Sequence, residues 1–171
     1  MKKLITVIAA SLLLGASVFA EGFINANDLT PGTIIGDQKE EDGFVLHGAP
    51  DASGKALLVE NKSADPAICD GEKVTNRISM KGAGSLTERS ISFPAKAGET
   101  ITIFARSSNK KSARAIKVMN AEGVEIAELT GEVDQPDKNI KAMTVKVPAN
   151  GTYTVFPIGG GAYFYMIKVA K

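Results

Sequence analysis

Arg77 and Lys81 fall on one face of a segment whose apolar residues alternate with period two. Arg106 shares a face with Phe104, and Arg89 and Arg114 stand where strands begin. Guanidinium groups suit planar, bidentate recognition of carboxylates. Gathered on one sheet, these side chains would hold an acidic sugar. An aromatic ring beside them would carry the apolar face of a pyranose. Tyr163 and Tyr165 are the aromatic candidates, with Phe104 and Phe164 behind them. The competing reading is that the arginines pair with the chain's 19 Asp and Glu residues and close the rim of the fold. Spacing alone leaves both readings open.

Other chemistries find less support. The chain has one His, so a multi-His metal site is excluded. A Ser-His-Asp triad would need His47 as its base, and no GxSxG turn accompanies any serine. Cys69, in Ala67-Ile68-Cys69-Asp70, is the single cysteine. It makes no internal disulfide and reads as a buried, inert thiol. The acids Glu40-Glu41-Asp42 read as a solvated loop. Gly159-Gly160-Gly161 could cradle an anion, but no helix follows to add its dipole. A φ-positive hairpin turn is the expected form.

These residues need a scaffold, and the chain's first twenty residues say where it is built. Lys2 and Lys3 form a positive n-region in a bacterial style, and Leu4 to Leu14 form a short apolar run. Val18 and Ala20 occupy the minus-three and minus-one positions of a cleavage site. Residues 1–20 are therefore predicted to be a cleaved signal peptide. The run is too short for a membrane span, which needs about 20 apolar residues. Residues 21–171 follow as one exported domain, secreted or periplasmic. The signal takes two lysines and no acid with it, leaving 18 basic against 19 acidic residues and a net charge of −1. That balance argues against a nucleic-acid partner. No second apolar span appears downstream.

Through residues 21–171, short runs rich in Thr, Val, Ile, Phe and Tyr alternate with turn residues. Strands are expected at 33–35, 43–47, 56–60, 73–80, 89–93, 99–105, 114–119, 125–129, 141–147, 151–156 and 162–169. A short turn is expected at Asn27-Asp28-Leu29, and Asn120 to Gly123 should form another. Ten or eleven short strands at this spacing argue for an all-β sandwich or barrel. Period two places Ile78 and Met80 inward, with Arg77, Ser79 and Lys81 outward. Ile101, Ile103 and Ala105 face inward, with Thr102, Phe104 and Arg106 outward. Met143, Val145 and Val147 share a face. The last strand is apolar on both faces: Tyr163, Tyr165, Ile167 and Val169 on one, Phe164, Met166 and Lys168 on the other. Such a strand should be central or covered.

Val74 to Ser85 (VTNRISMKGAGS) forms a basic strand followed by a glycine turn. It resembles the corresponding stretch of the β-sandwich accessory domains attached to secreted bacterial pectate lyases. The likeness runs on through Glu88 to Phe93, Ile101 to Ser108, Ala113 to Val118, Gly151 to Phe156, Gly159 to Gly161 and Tyr163 to Val169. It also takes in Asn25 to Leu29 and Asp42 to Phe44. What the resemblance implies is a jelly-roll-like antiparallel sandwich, similar to carbohydrate-binding modules, that engages pectin-like polysaccharide without catalysis. Lyase activity is not implied, because this chain lacks the length and the Asp and Arg pattern of a β-helix lyase. Two departures stand out. The chain has no Trp for sugar stacking, and the domain follows a signal of its own. Jelly-roll modules often hold a structural calcium, for which the sequence names no ligands. No other cofactor is implied.

The resulting expectation is a secreted, non-catalytic, carbohydrate-binding-like protein. Arg77, Lys81, Arg106 and Arg114 would meet uronate carboxylates, and Tyr163 and Tyr165 would meet the ring. The alternative is a structural or protein-interaction component of the bacterial envelope without sugar binding. A large exposed apolar patch would favour that alternative.

Overall fold

A computed structural model describes residues 22–49, 56–133, 135 and 137–171. The predicted signal at residues 1–20 and its cleavage point before Glu21 lie outside the described residues. In chain order the strands are β1 (Gly22–Asn25), β2 (Ile34–Ile35), β3 (Gln38–Glu41), β4 (Phe44–His47), β5 (Leu57–Asn61), β6 (Ala67–Cys69), β7 (Glu72–Val74) and β8 (Asn76–Met80). There follow β9 (Ser90–Ala95), β10 (Thr100–Ser107), β11 (Arg114–Asn120), β12 (Glu125–Gly131), β13 (Asn139–Ile140), β14 (Met143–Lys146), β15 (Gly151–Ile158) and β16 (Ala162–Ala170). One 3₁₀ turn, Ala26–Asp28, is capped by the Asn25 side chain, which accepts from the Asn27 amide.

The strands form two large antiparallel sheets. One runs β14-β10-β16-β8-β5-β2, with β1 also pairing β16, and the other runs β12-β11-β15-β9-β4-β3. Ile78, Ile101, Ile103, Phe164, Ile167 and Val169 of the first sheet and Phe44, Leu46, Ile91, Phe93, Ile116 and Val155 of the second belong to one buried cluster. This is the expected all-β, antiparallel sandwich. The inward and outward assignments for β10 and β14 hold: Ile101, Ile103, Ala105 and Val145 are buried, while Thr144 and Lys146 are exposed.

A third, three-stranded sheet, β13-β6-β7, was not foreseen, and its β13–β6 pair is parallel. The segment 73–80, read as one strand, divides at Thr75. Its first part, β7, joins the small sheet, and β8 joins the large one. Two Asp-Gly dipeptides turn hairpins that composition hid. Asp42-Gly43 (φ 48° and 79°) joins β3 to β4, and Asp70-Gly71 (φ 54° and 78°) joins β6 to β7. Two successive positive φ values are what a two-residue primed turn needs. The acidic run at 38–41 is thus an edge strand, not a loop. An edge rich in charge resists pairing with other chains.

The last strand is both central and covered. β16 lies between β10 and β8. The small sheet packs against the outward side of β16 and β10, burying Met166 and Phe104 there beside Ala67, Cys69, Val74 and Ile140. Its faces differ from strict alternation. Phe104 pairs with Met166 but Ala105 pairs with Phe164, so Tyr165 is the extra residue of a β-bulge. The bulge shifts the phase: Phe164 joins Ile167 and Val169 on the inner face, and Tyr163 turns outward. Period two alone could not show this.

Candidate functional site

The bulge has a local consequence. With Tyr163 outward, register aligns Ile34, Leu58, Ser79, Tyr163 and Arg106 in a row across five strands of one sheet face. Arg77 lies one step along the same face of β8, opposite Glu60 on β5. Its guanidinium carbon sits 3.4 Å from the Tyr163 ring centroid, a close cation–π contact. Its Nε and Nη2 donate to Glu60 Oε2 at 2.7 and 2.6 Å. Arg106 approaches Tyr163 and Tyr165 from the neighbouring strand, at 5.9 and 5.6 Å from the ring centroids. Both arginines are largely buried, at 8% and 7% exposure. Two such cations persist inside because rings and a carboxylate replace their lost hydration.

These side chains floor a cleft of about 350 Å³, lined by Lys62, Asp65, Arg77, Arg106, Ser107, Ser108, Asn109, Lys110, Lys138 and Tyr163. Five of those lining residues are cationic and one is acidic. The acid reports the local field. Lys138 hydrogen-bonds Asp65 at 3.1 Å, and that bond, aided by the charges of Lys138, Arg106 and Arg77, holds its carboxyl below the usual range. Lys138 adopts φ 60°, a conformation that costs a non-glycine residue about 1 kcal/mol or more. Its carbonyl accepts from the Ile68 amide and its ammonium meets Asp65, which fixes it there.

The rim formed by residues 107–112 is wired to itself and to the glycine turn. Ser107 Oγ donates to the Ser112 carbonyl, and Asn109 Oδ1 accepts from the Lys111 amide. Ser108 donates to the Gly161 carbonyl through both its hydroxyl (2.7 Å) and its amide (3.1 Å). Gly159 and Gly160 do take positive φ, 68° and 154°. The turn is an arch rather than a hairpin, because β15 and β16 belong to different sheets. A Cβ at Gly161 would fall 2.9 Å from Ser108 Oγ. The triple glycine therefore holds the rim of the cleft.

Of the six candidates, the structure brings together Arg77, Arg106 and Tyr163. Lys81 is exposed, lies one residue beyond the end of β8 and does not line the cleft. Arg114 stands on β11 of the opposite sheet, packed under the glycine arch. A Cβ on Gly160 would meet its Nε at 2.6 Å, and that Nε is buried with no hydrogen-bond partner among the described residues. Tyr165, the bulge residue, is 2% exposed and offers no platform. The Tyr163 ring lies in the cleft, with one face already covered by Arg77. Sequence reasoning missed Lys62, Lys110 and Lys138. Lys110 was within reach, since Ser107 to Ser112 reads as a polar loop directly after Arg106. Lys62 and Lys138 meet only through the small sheet.

Elsewhere, His47 Nε2 lies 2.9 Å from Ser92 Oγ, which contacts Thr154 Oγ1 at 2.8 Å. Among the described residues no carboxylate bonds the ring, so the base of a triad is not oriented as it would need to be. Burial lowers the His47 pKa below 6.5. The neutral ring is favoured in the fold, so its contribution to stability is full above about pH 6.5 and is lost as pH falls through the folded value. Urea unfolding at pH 7.5 and pH 5 should show a smaller loss on acidification for His47→Gln than for the parent. Equal losses would contradict the assignment. Cys69 is fully buried and unbridged. Burial, aided by Glu72, pushes its thiol up to about 12, so it is inert at neutral pH. Among the described residues, no cluster of His, Cys, Asp and Glu is placed to hold a metal, and no helix is long and apolar enough to cross a membrane.

Solved structures show the same architecture. The K1 cleaved adhesin domain of Lys-gingipain from Porphyromonas gingivalis W83 superposes with a TM-score of 0.56 at 11% identity, over 88% of this chain and 97% of that one. The K2 cleaved adhesin domain of Lys-gingipain gives 0.53 at 12%, over 89% and 100%. A chain described under the expansion of glycan recognition in the Ruminococcus flavefaciens cellulosome gives 0.51 at 14%, over 88% and 93%. The shared fold is an antiparallel β-sandwich. Adhesin domains share it. No protein-family model and no curated protein matches the chain. At these identities the likeness speaks for fold alone.

Proposed function

We propose that this chain is an exported, non-catalytic glycan-binding domain that holds an acidic polysaccharide in the cleft between Arg77, Arg106 and Lys110. The observation that carries the reading is the excess of cations converging on one cleft: Lys62, Arg77, Arg106, Lys110 and Lys138 against Asp65 and the Glu60 that pairs with Arg77. A neutral sugar would gain little from such a field, and a uronate gains much. The wired rim presents Ser108 and Asn109 to sugar hydroxyls without much ordering on binding, which favours affinity.

The division of labour differs from a simple row of arginines. Arg77 spends its Nε and Nη2 on Glu60 and lays its face on Tyr163, so it positions the floor. Arg106, Lys62 and Lys110 supply the charge that meets the ligand, and Lys138 is held by Asp65. Aromatic stacking is secondary, because Tyr165 is enclosed and Tyr163 is shared with Arg77. Pectin-like polymers remain the proposed class, as polymers of uronate.

Affinity gel electrophoresis against polygalacturonate, alginate and a neutral glucan tests this. The acidic polymers should retard the protein and the glucan should not. Retardation should fall with salt, because exposed charge contacts are screened beyond about 8 Å at 0.15 M. Lys62→Glu with Lys110→Glu should remove it without unfolding the protein. Retardation by none of the polymers would contradict this reading and favour an envelope interaction protein.

A further inference from the structure

Arg106 lines a second cavity as well as the basic cleft. This neighbour measures about 160 Å³ and is bounded by Ala105, Val133, Ile140, Ala142 and Met143, with Gln135, Asn139 and Lys141 among its polar lining residues. A water needs roughly 10–15 Å³ of such space, so the cavity holds far more than a bridging solvent molecule. It is more apolar than the cleft: Ala105, Val133, Ile140, Ala142 and Met143 make up five of its eleven lining residues, and two of its charged residues, Glu132 and Lys141, pair with each other at 3.1 Å. One arginine thus separates a site for an anion from a site for a small apolar group carrying its own polar atoms.

We propose that this cavity seats the acetamido group of an N-acetylated sugar adjacent to the uronate held in the basic cleft. The inference rests on the glycan-binding reading and sharpens its ligand class to glycans that alternate uronate with N-acetylhexosamine. The methyl group packs against Ala142 and Met143. The amide N–H finds acceptors in the side-chain carbonyls of Gln135 and Asn139, whose amino groups donate to the Val133 carbonyl and to Asp137. A few placed polar groups on an apolar wall is the usual composition of a selective small-group site. A plain polyuronate fills the cleft and leaves the cavity to water.

The test uses the full chain as exported, with unsulfated heparosan as the probe. The comparators are the same polymer de-N-acetylated and then N-formylated, and polygalacturonate. N-formylation keeps charge and amide and removes one methyl. Heparosan should bind about fourfold more tightly than the N-formyl polymer, the change that one buried methyl carries. Ala142→Trp, at an exposed position on the cavity wall, should erase that preference and leave polygalacturonate binding unchanged. Equal affinity for the N-acetyl and N-formyl polymers, with polygalacturonate still bound, would overturn the acetamido site and leave the glycan-binding reading intact. Failure of every acidic polymer to bind would overturn both. Loss of polygalacturonate binding in Ala142→Trp would overturn the separation of the two sites.

Discussion

Arg106→Ala is expected to weaken binding to an acidic polysaccharide at least tenfold. Arg106 is the residue shared by the cleft and its neighbouring cavity, and it lies within 6 Å of both Tyr163 and Tyr165. Removing a desolvated cation from a charge-paired contact costs about 2–5 kcal/mol, and tenfold is only about 1.4 kcal/mol. The loss should appear mainly as faster dissociation, because the contact is short-range. A largely buried side chain also packs, so the thermal midpoint must be followed in parallel. Lys110→Glu serves as the companion variant. Lys110 is exposed, so its reversal should weaken binding with no change in stability. Full affinity in both variants would mean that the cations of this cleft do not meet the ligand.

The second large effect is on the fold. Phe164→Ala should destabilise the protein by about 3–5 kcal/mol, the cost of emptying a buried aromatic site. For a domain of this size that is a fall in thermal midpoint of roughly 10 °C. The reason is the bulge at Tyr165. It brings Phe164 into register with Ala105 and Ile78 on the inner face, where Phe164 is fully buried. Strict alternation would have put Phe164 with Met166 and Lys168 on the outer face, and a smaller loss would follow. Thermal unfolding of Phe164→Ala and Tyr163→Ala side by side discriminates the two. A larger loss for Tyr163→Ala would contradict the bulged register.

Period-two runs with β-branched and aromatic residues were enough to read the sandwich, and the alternation placed Ile101, Ile103, Ala105 and Arg106 correctly. What escaped reading has physical causes. The Asp42-Gly43 and Asp70-Gly71 turns carry a hairpin signal, but the strands they join are only three or four residues long, and β3 and β7 are rich in charge. The parallel pairing of β13 with β6 joins segments about 70 residues apart, and nothing local announces it. Strand order is also silent in a sequence. Arg77, Arg106 and Tyr163 met because β8, β16 and β10 are neighbours. Arg114, equally basic and also at a strand start, went to the other sheet. Lys81 lies one residue beyond the end of β8 and does not line the cleft.

The central claim is that this cleft binds acidic glycan through charge. The most direct measurement is the dissociation constant of the purified protein for a polygalacturonate oligosaccharide by isothermal titration at 50 mM and 300 mM salt, for the parent and for Lys62→Glu with Lys110→Glu. The account predicts measurable binding by the parent at low salt, a clear weakening at high salt, and no binding by the double variant with its thermal midpoint unchanged. Binding of the same strength in the double variant, or in the parent at both salt concentrations, would contradict it.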